Sequence, residues 1–212
     1  TLRGGSSAEV LSGGNGDDSL MGSAGADTLI GGSGFDTVDY SASAAAVRAG
    51  LDGSAGVGGD AAGDLISGVE RLVGSAQSDT LLGGSSDDVL EGGAGADSLS
   101  GGLGQDTLLG GTGDDTLVGG GGADVLTGGT GIDTADYSAS ASAVTAYLDG
   151  TLGVGGDAAG DVLSGIENLV GSNFDDTLYG DANGNQRHRN HHAQKARTQR
   201  GEVHAQDERP DD

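Results

Sequence analysis

The chain has 212 residues and a formal charge of −24, and 46 of its residues are glycine. Aromatic residues make up 3% and neither tryptophan nor cysteine occurs, so a conventional core of large side chains and a disulfide framework are both excluded. So acidic a surface repels nucleic acid phosphates and anionic membranes, no apolar run approaches the roughly 20 residues of a membrane span, and cations are the natural partners.

The opening TLRGGSSAEVLSGG shows no signal peptide and starts inside a repeat, so the chain reads as a fragment or subdomain. Residues 4–39 form a first block of nonapeptides with the pattern GGxGxDxUx, where U is a large aliphatic residue. Its units begin at Gly13, Gly22 and Gly31, after a degenerate unit at Gly4 that carries Glu9 at the acidic position. An insert follows at 40–73. Its AVRAGLDG stretch alternates Val47, Ala49 and Leu51 on one face of an expected strand, and DLISGVERLVG leads into the next repeat as further strand.

The main block, 74–136, has units from Gly74, Gly83, Gly92, Gly101, Gly110, Gly119 and Gly128. A second insert at 137–170 repeats the first at an offset of 97 residues, with Val144, Ala146 and Leu148 on its alternating face. One more repeat, 171–181, closes the periodic part. From 182 to 212 the glycine period stops, and a disordered tail is expected there. The tail's His188, His191 and His192 are weak candidates for a transition metal.

Each part of the unit has a physical role. Glycine pairs reach positive φ without a Cβ penalty, so the chain turns tightly and bares carbonyl oxygens. The sixth-position aspartate adds a carboxylate to the same turn. Oxygen-only donors suit a hard cation such as Ca²⁺, which takes six to eight of them. The three residues after each aspartate form a strand too short for a hairpin sheet, with the eighth-position aliphatic residue pointing inward. Stacked in parallel, such strands build a solenoid. A lone aspartate of this kind is often an Asx-turn, but eleven at one phase are not explained that way.

These units resemble the repeats-in-toxin (RTX) family. The resemblance implies an all-β fold, a parallel β-roll with two nonapeptides per turn and calcium between loop n and loop n+2. It implies carbonyl ligands at positions two and four and the aspartate of the first loop, with positions one and three and the aspartate of the second. Carried onto this chain, Gly93, Gly95 and Asp97 face Gly110, Thr112 and Asp115. On the other edge, Gly102, Gly104 and Asp106 face Gly119, Gly121 and Asp124; next, Gly111, Gly113 and Asp115 face Gly128, Thr130 and Asp133. Gly84, Ser86 and Asp88 face Gly101, Leu103 and Asp106, while Ser75, Gln77 and Asp79 face Gly92, Ala94 and Asp97. In the first block, Gly14, Gly16 and Asp18 face Gly31, Ser33 and Asp36. Asp27, whose partner Glu9 departs from the pattern, and Asp176 in the last unit carry the same carboxylate. In the inserts, Asp60, Asp64, Asp157 and Asp161 are candidates for a further ion or for plain turns.

No catalytic constellation is visible. Residues 1–181 contain no His, Cys or Lys, which removes the usual nucleophile–base pairs. The resemblance therefore implies a non-enzymatic calcium-binding module of a secreted bacterial protein, exported by type I secretion machinery and folding outside the cell. Two alternatives stay open. The module is an appendage of a secreted protease, lipase or polysaccharide epimerase, or it is a segment of a large adhesin or surface-layer protein with a polysaccharide or surface partner. The upstream gene sequence separates them.

Overall fold

The computed structural model describes residues 1–181 and the backbone of Gln186–His188. Every regular strand pair in it is parallel. One broad face is an eight-stranded sheet that stacks Leu2–Arg3, Ser19–Met21, Thr37–Asp39, Arg71–Val73, Val89–Ala94, Thr107–Thr112, Val125–Thr130 and Val162–Ser164 in that order. The opposite face holds a three-stranded sheet, Val10–Asn15, Thr28–Ser33 and Leu65–Ser67. It continues as a seven-stranded sheet from Arg48–Gly50 through Thr80–Leu82, Ser98–Leu103, Thr116–Gly121, Thr134–Asp136 and Asn168–Val170 to Gln186–His188. Thr145–Tyr147 and Thr177–Tyr179 form a fourth, two-stranded sheet.

The chain crosses from face to face once per nonapeptide, so strands 18 residues apart become neighbours. Leu90 lies opposite Leu72 and Leu108, and Leu108 opposite Leu126. Pleating turns the middle residue of each three-residue strand inward. Leu20, Leu29, Val38, Leu81, Leu90, Leu99, Leu108, Leu117 and Leu126 are accordingly all fully buried. The core is one aliphatic side chain wide per strand, which is how a chain so poor in aromatics fills its interior. This is the parallel β-roll that the repeats imply.

The inserts are built into the roll as strands. In the first, Arg48–Gly50 pairs forward with Thr80–Leu82, while Leu65–Ser67 pairs back with Thr28–Ile30. Between them lies one turn of 3-10 helix at Gly59–Ala61. The chain thus steps ahead by one coil and returns. Val47, Ala49 and Val144, Ala146, Leu148 are buried as the alternation predicts, with Leu51 packed against the core from a half-exposed position. The second insert repeats the path with Thr145–Tyr147 pairing forward and Val162–Ser164 pairing back. Each insert breaks one sheet and leaves the other whole. The first interrupts the three- and seven-stranded face; the second interrupts the eight-stranded face.

From 182 onward, the structure describes only the backbone of Gln186–His188. Gln186–His188 adds in parallel to Asn168–Val170, with Arg187 opposite Leu169. The edge of that sheet presents unpaired backbone N–H and C=O groups, and a following segment of any composition can satisfy them. The rest of the tail, with His191 and His192, lies outside the described residues. Among the described residues, no helix is long and apolar enough to cross a membrane.

Candidate metal centre

Along each edge of the roll the sixth-position aspartates form a ladder. The Asp79 amide donates to Asp97 Oδ1 at 2.8 Å, Asp97 to Asp115 at 2.8 Å, and Asp115 to Asp133 at 2.8 Å. On the other edge Asp88 donates to Asp106 at 2.9 Å and Asp106 to Asp124 at 2.9 Å. In the first block Asp18 donates to Asp36 Oδ1 and Glu9 to Asp27 Oδ1, both at 2.8 Å. One carboxylate oxygen of each acid is thereby fixed by the preceding coil.

The second oxygen is the unusual one. Oδ2 of Asp27, Asp36, Asp97, Asp106, Asp115, Asp124, Asp133 and Asp176 is buried and accepts no hydrogen bond from any described residue. A buried, unpartnered carboxylate oxygen is costly. Its surroundings add a second acceptor. A Cβ built on Gly92 would press on both Asp97 Oδ2 and Gly110 O. Gly101 marks the same meeting of Asp106 Oδ2 and Gly119 O, and Gly110 that of Asp115 Oδ2 and Gly128 O. Gly74 brings together Asp79 Oδ2 and Gly92 O, Gly83 brings Asp88 Oδ2 to Gly101 O, and Gly13 brings Asp18 Oδ2 to Gly31 O. Where no described donor reaches the carboxylate oxygen, as at Asp97, Asp106 and Asp115, two converging acceptors repel each other unless a cation enters.

The other predicted carbonyls have mixed settings. Four position-three oxygens take an amide from position four of the preceding coil: Ser33 O from Gly16 at 2.7 Å, Thr112 O from Gly95 at 2.8 Å, Gly121 O from Gly104 at 3.0 Å and Thr130 O from Gly113 at 2.8 Å. One lone pair of each remains for another partner. Gly84 O accepts from Leu103 N at 3.1 Å, and the Leu103 side chain is exposed. Gly93 O, Gly95 O and Ser86 O point along the edge against Gly111, Gly113 and Gly104 of the next coil, and Gln77 O likewise meets Gly95. Gly111 has φ +111° and Gly113 φ +120°, so side chains there would meet both strain and backbone. Gly14 and Gly102 share this conformation, and Ala94 lies at the end of its strand. Among the described residues, no three Asp, Glu, His or Cys side chains cluster closely enough to hold a metal by themselves. Any cation here needs the carbonyls.

Two aspartates depart from this pattern. With Ser75 in place of a glycine, Asp79 Oδ2 takes the Ser75 amide at 2.5 Å and Oδ1 takes the Ser75 hydroxyl at 2.9 Å. Asp88 Oδ2 takes the Gly84 amide at 2.6 Å. These acids are satisfied by their own loops, as Asx-turns are.

The ladder also runs through residues that lack the glycine signature. Asp27 donates to Asp64 Oδ1 at 2.8 Å, and Asp124 to Asp161 Oδ1 at 2.9 Å. Asp36 donates to Glu70 Oε2 at 2.9 Å, and Asp133 to Glu167 Oε2 at 2.8 Å. Glu70 and Glu167 were not among the sequence candidates. Their signal is the quartet acid-x-aliphatic-x, present as ERLV and ENLV, where Leu72 and Leu169 are fully buried. Asp64 and Asp161 differ again. The buried Tyr40 and Tyr137 hydroxyls donate to their Oδ2 at 2.8 and 2.9 Å. Asp60 and Asp157 stand apart, with their amides donating to Ser43 and Ser140 hydroxyls.

Burial pushes the carboxyls of Asp97 and Asp106 up to about 6, against an opposing pull from the Asp79 and Asp88 amides. Asp115, Asp124 and Asp133 are raised for the same reason. A folded carboxyl raised above its unfolded value of 3.8 binds protons more readily in the folded state. The ion-free roll is therefore most favoured at low pH and loses this contribution as pH rises through about 6. In chelator, acidification from pH 7 to 5 should increase β-type circular dichroism. No change would show that these carboxyls titrate as free ones do.

Four copies of the model for the RTX calcium-binding nonapeptide repeat match the chain, at residues 3–38, 66–99, 100–135 and 161–185. No curated protein matches it. With the repeats covering more than half of its length and its aspartate ladders lining a parallel β-roll, the chain belongs to the RTX calcium-binding nonapeptide repeat family and binds calcium.

Proposed function

We infer that the chain is a structural calcium module of a secreted bacterial protein, folding outside the cell once calcium loads the edges of the roll. One observation carries this reading: eight buried aspartate oxygens have no hydrogen-bond partner among the described residues, and most face a glycine carbonyl or a second acid across the same gap. Each ion sits between loop n and loop n+2, held by the acids and carbonyls of both. The seven consecutive units from Gly74 give five such pairs and hold at least four ions, calcium displacing the Ser75 or Gly84 amide from Asp79 or Asp88, with neighbours on an edge about 5 Å apart, the spacing of parallel strands. The low calcium of a bacterial cytoplasm would leave the chain unfolded for export through type I secretion machinery. Residues 1–181 hold acids far in excess of bases, so self-repulsion opposes folding until cations arrive.

A pair of variants tests the sharing of acids between ions. Asp115 accepts from Asp97 and donates to Asp133, so it belongs to two successive steps of its ladder. Asp18 donates to Asp36 at the start of its ladder. Asp115→Ala should raise the calcium midpoint more than Asp18→Ala, by severalfold. Equal midpoints for the two would refute the shared-ligand arrangement.

A further inference from the structure

The two inserts are where the nonapeptide rule fails and the ladder does not. In a nonapeptide, six residues separate one three-residue strand core from the next, as residues 83–88 do between Thr80–Leu82 and the core that begins at Val89. Between Leu65–Ser67 and Arg71–Val73 there are three, Gly68, Val69 and Glu70. Gly165, Ile166 and Glu167 occupy the same place in the second copy. The loop has lost three residues, and its acid has gained a methylene.

What this short loop presents is the same arrangement as a full one. Asp36 is fully buried, and its Oδ2 accepts no hydrogen bond from any described residue. A Cβ on Gly31 would press on Gly68 O and would lie 2.6 Å from Asp36 Oδ2, so both oxygens converge on one gap. Gly68 is held at φ +58° and its carbonyl accepts from Gly32 N at 3.1 Å, which leaves a lone pair free. The Glu70 carboxylate is anchored beside it on the Asp36 amide at 2.9 Å. In the second copy Asp133 Oδ2 and Gly165 O converge on Gly128, and Glu167 holds the Asp133 amide.

Among the described residues, no base forms an ion pair with these acids. The one arginine near the first, Arg71, is engaged by Glu91, and Asn168 stands in its place in the second. The contrast with the other insert acids sharpens the point. At Asp64 and Asp161 a tyrosine hydroxyl supplies the missing donor; at Asp36 and Asp133 no described residue does.

From this geometry we propose that each insert carries a calcium site of its own, made by Asp36, Gly68 O and Glu70 in the first copy and by Asp133, Gly165 O and Glu167 in the second. The glutamate's added methylene restores the reach that the three-residue loop takes away. The site rests on the reading of the unpartnered aspartate oxygens as calcium ligands. It extends that reading to loops with no GGxGxD sequence, and calcium ties each insert to the roll.

Calcium bound per chain, measured by equilibrium dialysis on the full chain, tests this. Glu70→Gln keeps an oxygen for the Asp36 amide and removes the charge, and Glu167→Gln does the same for Asp133. Each single variant should bind one calcium fewer than the parent, and the double variant two fewer, at a concentration that saturates the remaining sites. Glu70→Asp, which keeps the charge and withdraws it, should also lose one ion. Unchanged binding in the double variant would overturn the proposal while leaving the nonapeptide sites standing. A parent chain that binds no calcium would instead remove the reading on which it rests. If the double variant fails to reach a β-type spectrum in calcium, the two singles, each with one insert untouched, decide the matter.

Discussion

In chelator the chain should give the far-ultraviolet spectrum of an unfolded polypeptide, and calcium should convert it to β structure in one steep transition. The interior supplies one large aliphatic residue per nonapeptide. That is too little to offset a backbone ordering cost of about 1 to 2 kcal/mol per residue. Without ions, the stacked carboxylates of Asp97, Asp115 and Asp133 also repel along one edge. Calcium removes the repulsion and supplies the partner that the converging oxygens lack. Each ion orders a coil that forms half of the next site, so the transition should be cooperative. Its midpoint should fall near the roughly 0.1 to 1 mM range of extracellular modules. Magnesium should substitute poorly, because it demands a tighter octahedron and keeps its waters. A β-type spectrum that melts cooperatively in chelator at neutral pH would refute the coupling of folding to the ion.

Calcium-loaded Leu108→Ala should lose about 3 kcal/mol of stability, read from denaturant unfolding at fixed calcium. Leu108 is fully buried and stacks between Leu90 and Leu126 in the eight-stranded sheet. Each strand sends a single large side chain into the core, and the neighbours above and below are held in register by their ladders, so the cavity left behind collapses little. Leu103→Ala, at an exposed loop position, should stay within about 0.5 kcal/mol of the parent. Similar losses for both would mean that the eighth-position residues do not form the core.

The roll itself was legible because two periods coincide in the sequence. The glycine pairs fix the turns, and the eighth-position residues, from Leu20 to Leu178, fix the buried face. What the sequence hid lies where turns shorten or lengthen. Asp27 and Asp64 are 37 residues apart and Asp36 and Glu70 are 34 apart, so no search at a spacing of 18 finds them. Val47 occupies a ladder position with no acid at all, its amide donating to Asp79 Oδ1. The self-satisfied turn at Ser75–Asp79 depends on one serine hydroxyl and on backbone direction, which a pattern of residue types does not report. The pairing of Tyr40 with Asp64 is likewise a matter of three-dimensional reach across the insert.

The two sheet interruptions fall on opposite faces, and the reason is arithmetical. Seven nonapeptides separate the inserts, and the chain changes face at each, so an odd number carries the second break to the other side. The result is laid like brickwork, with each joint backed by an unbroken course. A pull along the axis of the roll cannot open one joint without shearing the strands that bridge it behind. Had the count been even, both joints would share one wall, and the module would fold along that line like a hinge.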